Sequence, residues 1–161
     1  MDRDNLKRLY GINFYAAEKN IEGLTDEEAR AWPEGGNSIN WILGHMVFAR
    51  DLILQVLEQE PILTEAQGKA YGRGSERQSE EAYLSLDTLR DKLRESQSRL
   101  LKGLEQAPDD AFTKPQGESN YPPGFQETEG DKVVFFQFHE AYHVGQLGIL
   151  RRIVGKEGAI A

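Results

Sequence analysis

The sequence predicts an all-α protein, a four-helix bundle with long connecting loops, in one domain spanning residues 1–161. Three observations lead there. Four segments carry apolar residues at steps of three and four, the period of a helix face packed on a core. All six prolines fall between those segments, where helix must break. No stretch alternates in the manner of a half-buried strand, and no segment repeats. Four long amphipathic helices with irregular connections predict an antiparallel bundle.

The first helix is expected over about residues 3–21, where Leu6, Tyr10, Phe14, Ala17 and Ile21 form one stripe. Thr25 and Glu28 match a Thr-x-x-Glu capping box, which predicts a short helical turn before Pro33 and the Gly35-Gly36 break. Asn37-Ser38 supplies a cap for the second long helix, with Ile42, His45, Ala49, Leu52 and Val56 in line, Met46 and Ile53 widening the stripe, and an end before Pro61. Residues 58–78 hold Pro61, Gly68, Gly72 and Gly74 without sustained periodicity and read as a long connection that could cross the bundle.

The third helix is predicted from near Ser79, with Glu80 and Glu81 in its first turn and Leu86, Leu89, Leu93, Ser96, Leu100 and Leu104 on its inner face. Pro108, Pro115, Pro122 and Pro123 then interleave with Gly117, Asn120 and Gly124 in a second long loop, the kind of segment that often carries function. The fourth helix follows over about 131–154, its stripe running Phe136, His139, His143, Gln146, Leu150 and Ile153, and closes with Arg151-Arg152 before Gly155.

Charge narrows the function. With 19 Lys plus Arg against 27 Asp plus Glu, the net charge is -8, and the basic face that nucleic-acid affinity requires is missing. The N-terminal segment is charged, and no apolar run approaches the roughly 18 residues of a membrane span. A cytoplasmic protein acting on a small molecule is expected. There are no cysteines, so disulfides, thiolate zinc sites and a cysteine nucleophile are excluded, and any thiol chemistry must use a substrate's sulfur.

The only three histidines are His45 on the second helix and His139 and His143 on the fourth. Residues four apart share a helical face, so His139 and His143 can bind one ion, and His45 can complete a triad. One histidine on an apolar face is ordinarily a hydrogen-bonded core residue. Three together fit zinc or nickel, leaving the ion's charge uncompensated and one coordination position open to water or substrate. Such an ion lowers the pKa of a bound water or holds a thiol as its thiolate, either of which is a nucleophile.

His139-Glu140-Ala141-Tyr142-His143 also matches His-Glu-x-x-His, in which the glutamate of a zinc protease activates water. Only 18 residues follow His143, with Glu157 their sole carboxylate, and no sheet edge is predicted to align a peptide. Glu140 therefore stands as the candidate base of a metal-dependent hydrolase, with a solvated or outer-sphere helix position as the plainer reading.

The segment Ser38-Ile39-Asn40-Trp41-Ile42-Leu43-Gly44-His45, with Phe138-His139-Glu140-Ala141-Tyr142-His143-Val144-Gly145-Gln146-Leu147 on the last helix, resembles the DinB/YfiT-like superfamily of metal-binding four-helix bundles. The family pattern is a Gly-His pair early in the second helix and His-x-x-x-His-x-Gly-Gln on the last. The resemblance implies His45, His139 and His143 as ligands of one divalent metal, commonly zinc or nickel, in a frequently dimeric protein. It also implies, for some members, transfer of a low-molecular-weight thiol to an electrophile or thiol-dependent isomerisation.

Trp41, Phe136 and Gln146 lie one helical turn from a histidine and could line the open side of the metal, or serve only as core. Gly44, Gly145 and Gly148 each cost about 1 kcal/mol against alanine inside a helix, which predicts close helix approach at all three. The leading expectation is a metal-dependent thiol transferase. A hydrolase using Glu140, and a non-catalytic binding protein stabilised by its metal, are the alternatives.

Overall fold

The structure is a computed structural model that describes residues 2–117, 124 and 127–160; Asn120, Pro122 and Pro123 of the second loop lie outside the described residues. Four long helices, α1 (Arg3–Ile21), α3 (Ile39–Val56), α5 (Leu86–Gln106) and α7 (Glu129–Ile153), form the bundle. Three short ones, α2 (Asp26–Arg30), α4 (Glu65–Tyr71) and α6 (Asp109–Thr113), occupy the connections. The described residues form no strand, only an isolated antiparallel bridge between Pro115 and Thr128.

The caps explain the boundaries. Thr25 Oγ1 accepts from Glu28 N at 3.1 Å while Thr25 N donates to the Glu28 carboxylate at 2.8 Å, so the expected capping box starts α2. Two boundaries differ from expectation. Residues 58–78 are not all connection, because a second box, Thr64 with Gln67, starts α4. The third long helix starts at Leu86, capped by Ser85, and Glu80–Ala82 is a separate 3-10 turn. A seven-residue helix is too short to display a periodic stripe; α4 stands on its cap and on Asp51 of α3, whose carboxylate accepts from Ile62 N and Leu63 N at 2.7 and 2.9 Å.

Each long helix packs on two others, α3 on α5 and α7, and α1 on α5 and α7. The pairs are not uniformly antiparallel, which corrects the bundle expected from sequence. Tyr10, Asn13 and Asn20 of α1 hydrogen-bond the carbonyls of Val133, Gln137 and Val144, so α1 and α7 run parallel. Asn40 meets Leu84 just before α5, and Arg50 meets Leu93 and Ser96, so α3 and α5 also run parallel. Parallel neighbours need a connection as long as the bundle, and residues 57–85 return the chain along the roughly 27 Å of an 18-residue helix.

Leu43, Leu54, Leu89, Leu93, Leu100, Leu147 and Tyr10 are among the residues that close the core. Ile153, placed on the inner stripe by its spacing, is instead 60% exposed. It belongs to an outward row on α7 with Val134, Phe138, Tyr142 and Ile149; on α1, Leu9, Ile12 and Tyr15 are exposed as well.

Candidate metal centre

His45 enters from α3, and His139 and His143 from α7, which runs antiparallel to it. His45 and His143 are buried and His139 is half-buried. The Nε2 atom of His139 lies 3.3 Å from Nε2 of His45 and 3.1 Å from Nε2 of His143. Three nitrogens bound tetrahedrally to one ion at the usual metal–nitrogen distance stand about 3.3 Å apart. The cluster therefore has the donor type and the spacing to hold a divalent cation.

The far side of two rings sets which nitrogen is free. His45 Nδ1 lies 2.7 Å from the carbonyl of Tyr71, which can only accept, so that nitrogen carries the hydrogen and Nε2 offers its lone pair inward. His143 Nδ1 donates to Gln146 Oε1 at 2.7 Å, and the amide of Gln146 donates in turn to the Tyr142 hydroxyl at 3.3 Å. His139 Nδ1 is buried with no hydrogen-bond partner among the described residues; Phe136, 5.5 Å away edge-on, and Phe135 hold that ring by packing.

The rings are tuned to stay neutral. Burial, then the charges of His143 and His45, push His139 down to about 3. Burial also depresses His45, against the hydrogen bond to Tyr71, and depresses His143, against the bond to Gln146. At neutral pH all three present unprotonated nitrogens, the form a metal requires.

Gly44 lets the Tyr71 carbonyl reach His45. A Cβ on Gly44 would lie 2.2 Å from two Tyr71 ring carbons, so α4 docks on α3 only because this residue has no side chain. The close approach expected of Gly44 is present. Gly148 makes an ordinary contact with Asn20, whereas a Cβ on Gly145 would meet nothing within 4 Å, so no packing inside this chain explains that glycine.

Trp41 stacks on His45 with centroids 4.8 Å apart and planes 9° from parallel, so Trp41, Phe136 and Gln146 are all brought to the cluster. Glu140 is not brought there. It is 3% exposed, and its carboxylate accepts from Arg50 Nε at 2.6 Å and Nη2 at 2.9 Å, which overturns the reading of a solvated residue. Arg50 itself is fully buried and also donates to the Leu93 carbonyl and Ser96 Oγ on α5. The sequence contains the hint, a charged residue amid the apolar positions Ala49, Ile53 and Leu54. Tyr71 and Phe48, whose ring is 6.3 Å from that of His45, had no comparable signal.

The profile of the DinB superfamily matches residues 15–147. The crystal structure of a conserved protein from Enterococcus faecalis superposes with a TM-score of 0.72 at 18% identity, covering 96% of this chain and 97% of that one, and so shares its fold. No functionally curated protein matches the sequence.

Proposed function

The chain belongs to the DinB superfamily, and on that premise we propose that it is a divalent-metal-dependent enzyme joining a low-molecular-weight thiol to an electrophilic small molecule. The observation that carries the reading is the convergence of three imidazole Nε2 atoms in a chain without cysteine. Zinc or nickel suits three imidazoles, and such an ion supplies a nucleophile at neutral pH by favouring the deprotonated form of a bound thiol.

The chain's own residues do the rest. Tyr71 and Gln146 fix the tautomers of His45 and His143. Trp41 and Phe136 exclude water from the reacting sulfur and offer ring faces to the electrophile. As the sulfur–carbon bond forms, the thiol proton has already gone to solvent, and the electrophile either expels its leaving group or takes a proton at the neighbouring carbon. Glu140, with both oxygens on Arg50, acts in this reading as a positioning residue that keeps α3 and α7 in register.

The same proposal makes the protein a cytoplasmic homodimer. Reduced thiols are plentiful in the cytosol. The outward row of Val134, Phe138, Tyr142, Ile149 and Ile153 is a run of large apolar side chains of the kind that a second copy covers.

Elemental mass spectrometry on tag-free protein, native against His45→Ala, tests the site; near one metal per chain is expected in the first and almost none in the second. A screen of cellular thiols against common electrophiles tests the reaction. A fully metallated protein that conjugates none of them would refute it.

A further inference from the structure

The segment that follows α4 is tied to the candidate centre at both ends. Before it, Tyr71 lies against Gly44, its carbonyl accepts from His45, and its hydroxyl donates to Asn40 and accepts from Leu84 N at 2.7 Å. After it, Ser75 Oγ accepts from Nε1 of Trp41 at 3.2 Å, and Trp41 is stacked on His45. Between them, Ser75 N donates to the Gly72 carbonyl at 3.1 Å and Gly74 takes a φ of +74°, which closes a tight turn with Arg73 at its tip.

Arg73 is exposed and makes no ion pair or hydrogen bond with any described residue. That is unusual for this chain, where acidic residues outnumber basic ones and Arg30, Arg50, Arg94 and Arg99 are each on a carboxylate. Its neighbours Lys69 and Arg77 are spoken for by Glu65 and Glu80. Arg73 lies two residues after Tyr71, whose carbonyl binds His45, and two before Ser75, which binds Trp41. The nearest buried carboxylate on α7, Glu140, is neutralised by Arg50. A divalent ion on three neutral imidazoles, with an unpaired guanidinium on a turn tied to two of the surrounding residues, would be a centre of uncompensated positive charge.

We propose that Arg73 is a specificity-determining residue of this site, and that one of the two molecules meeting there carries a carboxylate which the guanidinium holds while the sulfur sits at the three histidines. This rests on the thiol reading above. A carboxylate fits better than a phosphate, because one guanidinium fork satisfies it in two parallel hydrogen bonds, whereas Lys69 and Arg77 near the turn are already paired and leave no second cation for a dianion. The carboxylate belongs to the thiol or to the electrophile, and the two are separable.

For the thiol, the cobalt(II)-loaded protein is titrated with 3-mercaptopropionate, 4-mercaptobutyrate and the neutral 2-mercaptoethanol, and binding is read from the thiolate-to-cobalt absorption band. Native protein should bind one of the carboxylate thiols about tenfold or more tightly than 2-mercaptoethanol. In Arg73→Gln the gap should close, Arg73→Lys should restore part of it, and Arg77→Gln should leave it open. For the electrophile, acrylate and acrylamide are compared at saturating 2-mercaptoethanol; sulfur adds at the β carbon and a solvent proton at the α carbon. A fall in the acrylate-to-acrylamide ratio in Arg73→Gln puts the carboxylate there.

If neither arm depends on Arg73 while the thiolate band forms, this inference falls and the thiol reading stands. Arg73-dependent competition by inorganic phosphate stronger than that by acetate overturns the carboxylate assignment. If no thiol produces the band in native protein, both fall together.

Discussion

Arg50 and Glu140 hold each other through two hydrogen bonds, 2.6 and 2.9 Å long, at a place in the bundle where neither reaches solvent. They join the same two helices, α3 and α7, that carry His45 and His139, and Arg50 also ties in α5. Breaking a buried pair by removing one charge costs about 3–5 kcal/mol, while replacing both with well-packed apolar groups is often nearly neutral. Glu140→Gln should accordingly lower the urea midpoint steeply, and Arg50→Met combined with Glu140→Leu should recover most of the loss. A Glu140→Gln protein of native stability, fully metallated and without turnover, would instead reveal a chemical role for the carboxylate.

Gly44 and Gly145 should respond oppositely to alanine. Gly44→Ala drives a methyl into the Tyr71 ring, so a loss of about 1–3 kcal/mol is expected from overpacking. Displacing the Tyr71 carbonyl from His45 should also weaken metal binding about 10- to 100-fold. Gly145→Ala meets open space and should raise monomer stability by up to about 1 kcal/mol. Thermal melts and competitive metal titration of both variants check this.

Gln146→Leu removes the group that orients His143 without altering the ligand itself. Metal affinity should fall about 10- to 100-fold while the metal-free protein melts close to native. Equal affinity in the two proteins would show that the bond to Gln146 does not set the ring.

Acid should destabilise the metal-free protein. His139 is held at about 3 in the folded state against 6.5 ordinarily, so below 6.5 the unfolded chain binds a proton that the folded chain refuses. Stability is thus full above pH 6.5 and declines as pH falls from there toward 3, with His45 and His143 shifted the same way. Denaturant midpoints measured from pH 7.5 to 5 should decrease, and bound metal should be released over the same range. A fall with acid that is shallower in the His139→Phe variant than in the native protein would tie part of the effect to this ring.

If a second copy covers the outer face of α1 and α7, Phe138→Glu or Ile149→Glu should convert a dimer into monomers at micromolar concentration without changing helix content. Light scattering decides it, and a native protein that is already monomeric refutes the dimer.

The long helices and the histidine cluster were legible because both are local signals: a stripe at helical spacing, and His139 and His143 one turn apart on it. What stayed hidden depends on the path of the chain. Whether α3 and α5 run parallel is decided by how residues 57–85 travel. Tyr71 becomes a partner of His45 only when the unperiodic α4 docks on Gly44. Arg50 announces a buried charge, but nothing in the sequence says that Glu140 meets it. The pairing with Ser75 that holds the Arg73 turn is equally invisible without the fold.

The parallel course of α1 and α7 has a consequence for how the protein is made. Tyr10, Asn13 and Asn20 find their acceptors 123 or 124 residues later, and His45 meets His139 across 94. Contacts so distant in the chain form late and slowly. While the chain emerges from the ribosome, the first helices wait for the last, with polar groups meant for the interior still in water. Until then no fragment can capture a metal ion in the three-histidine arrangement, so metal can reward only a completed chain and cannot template a partial one.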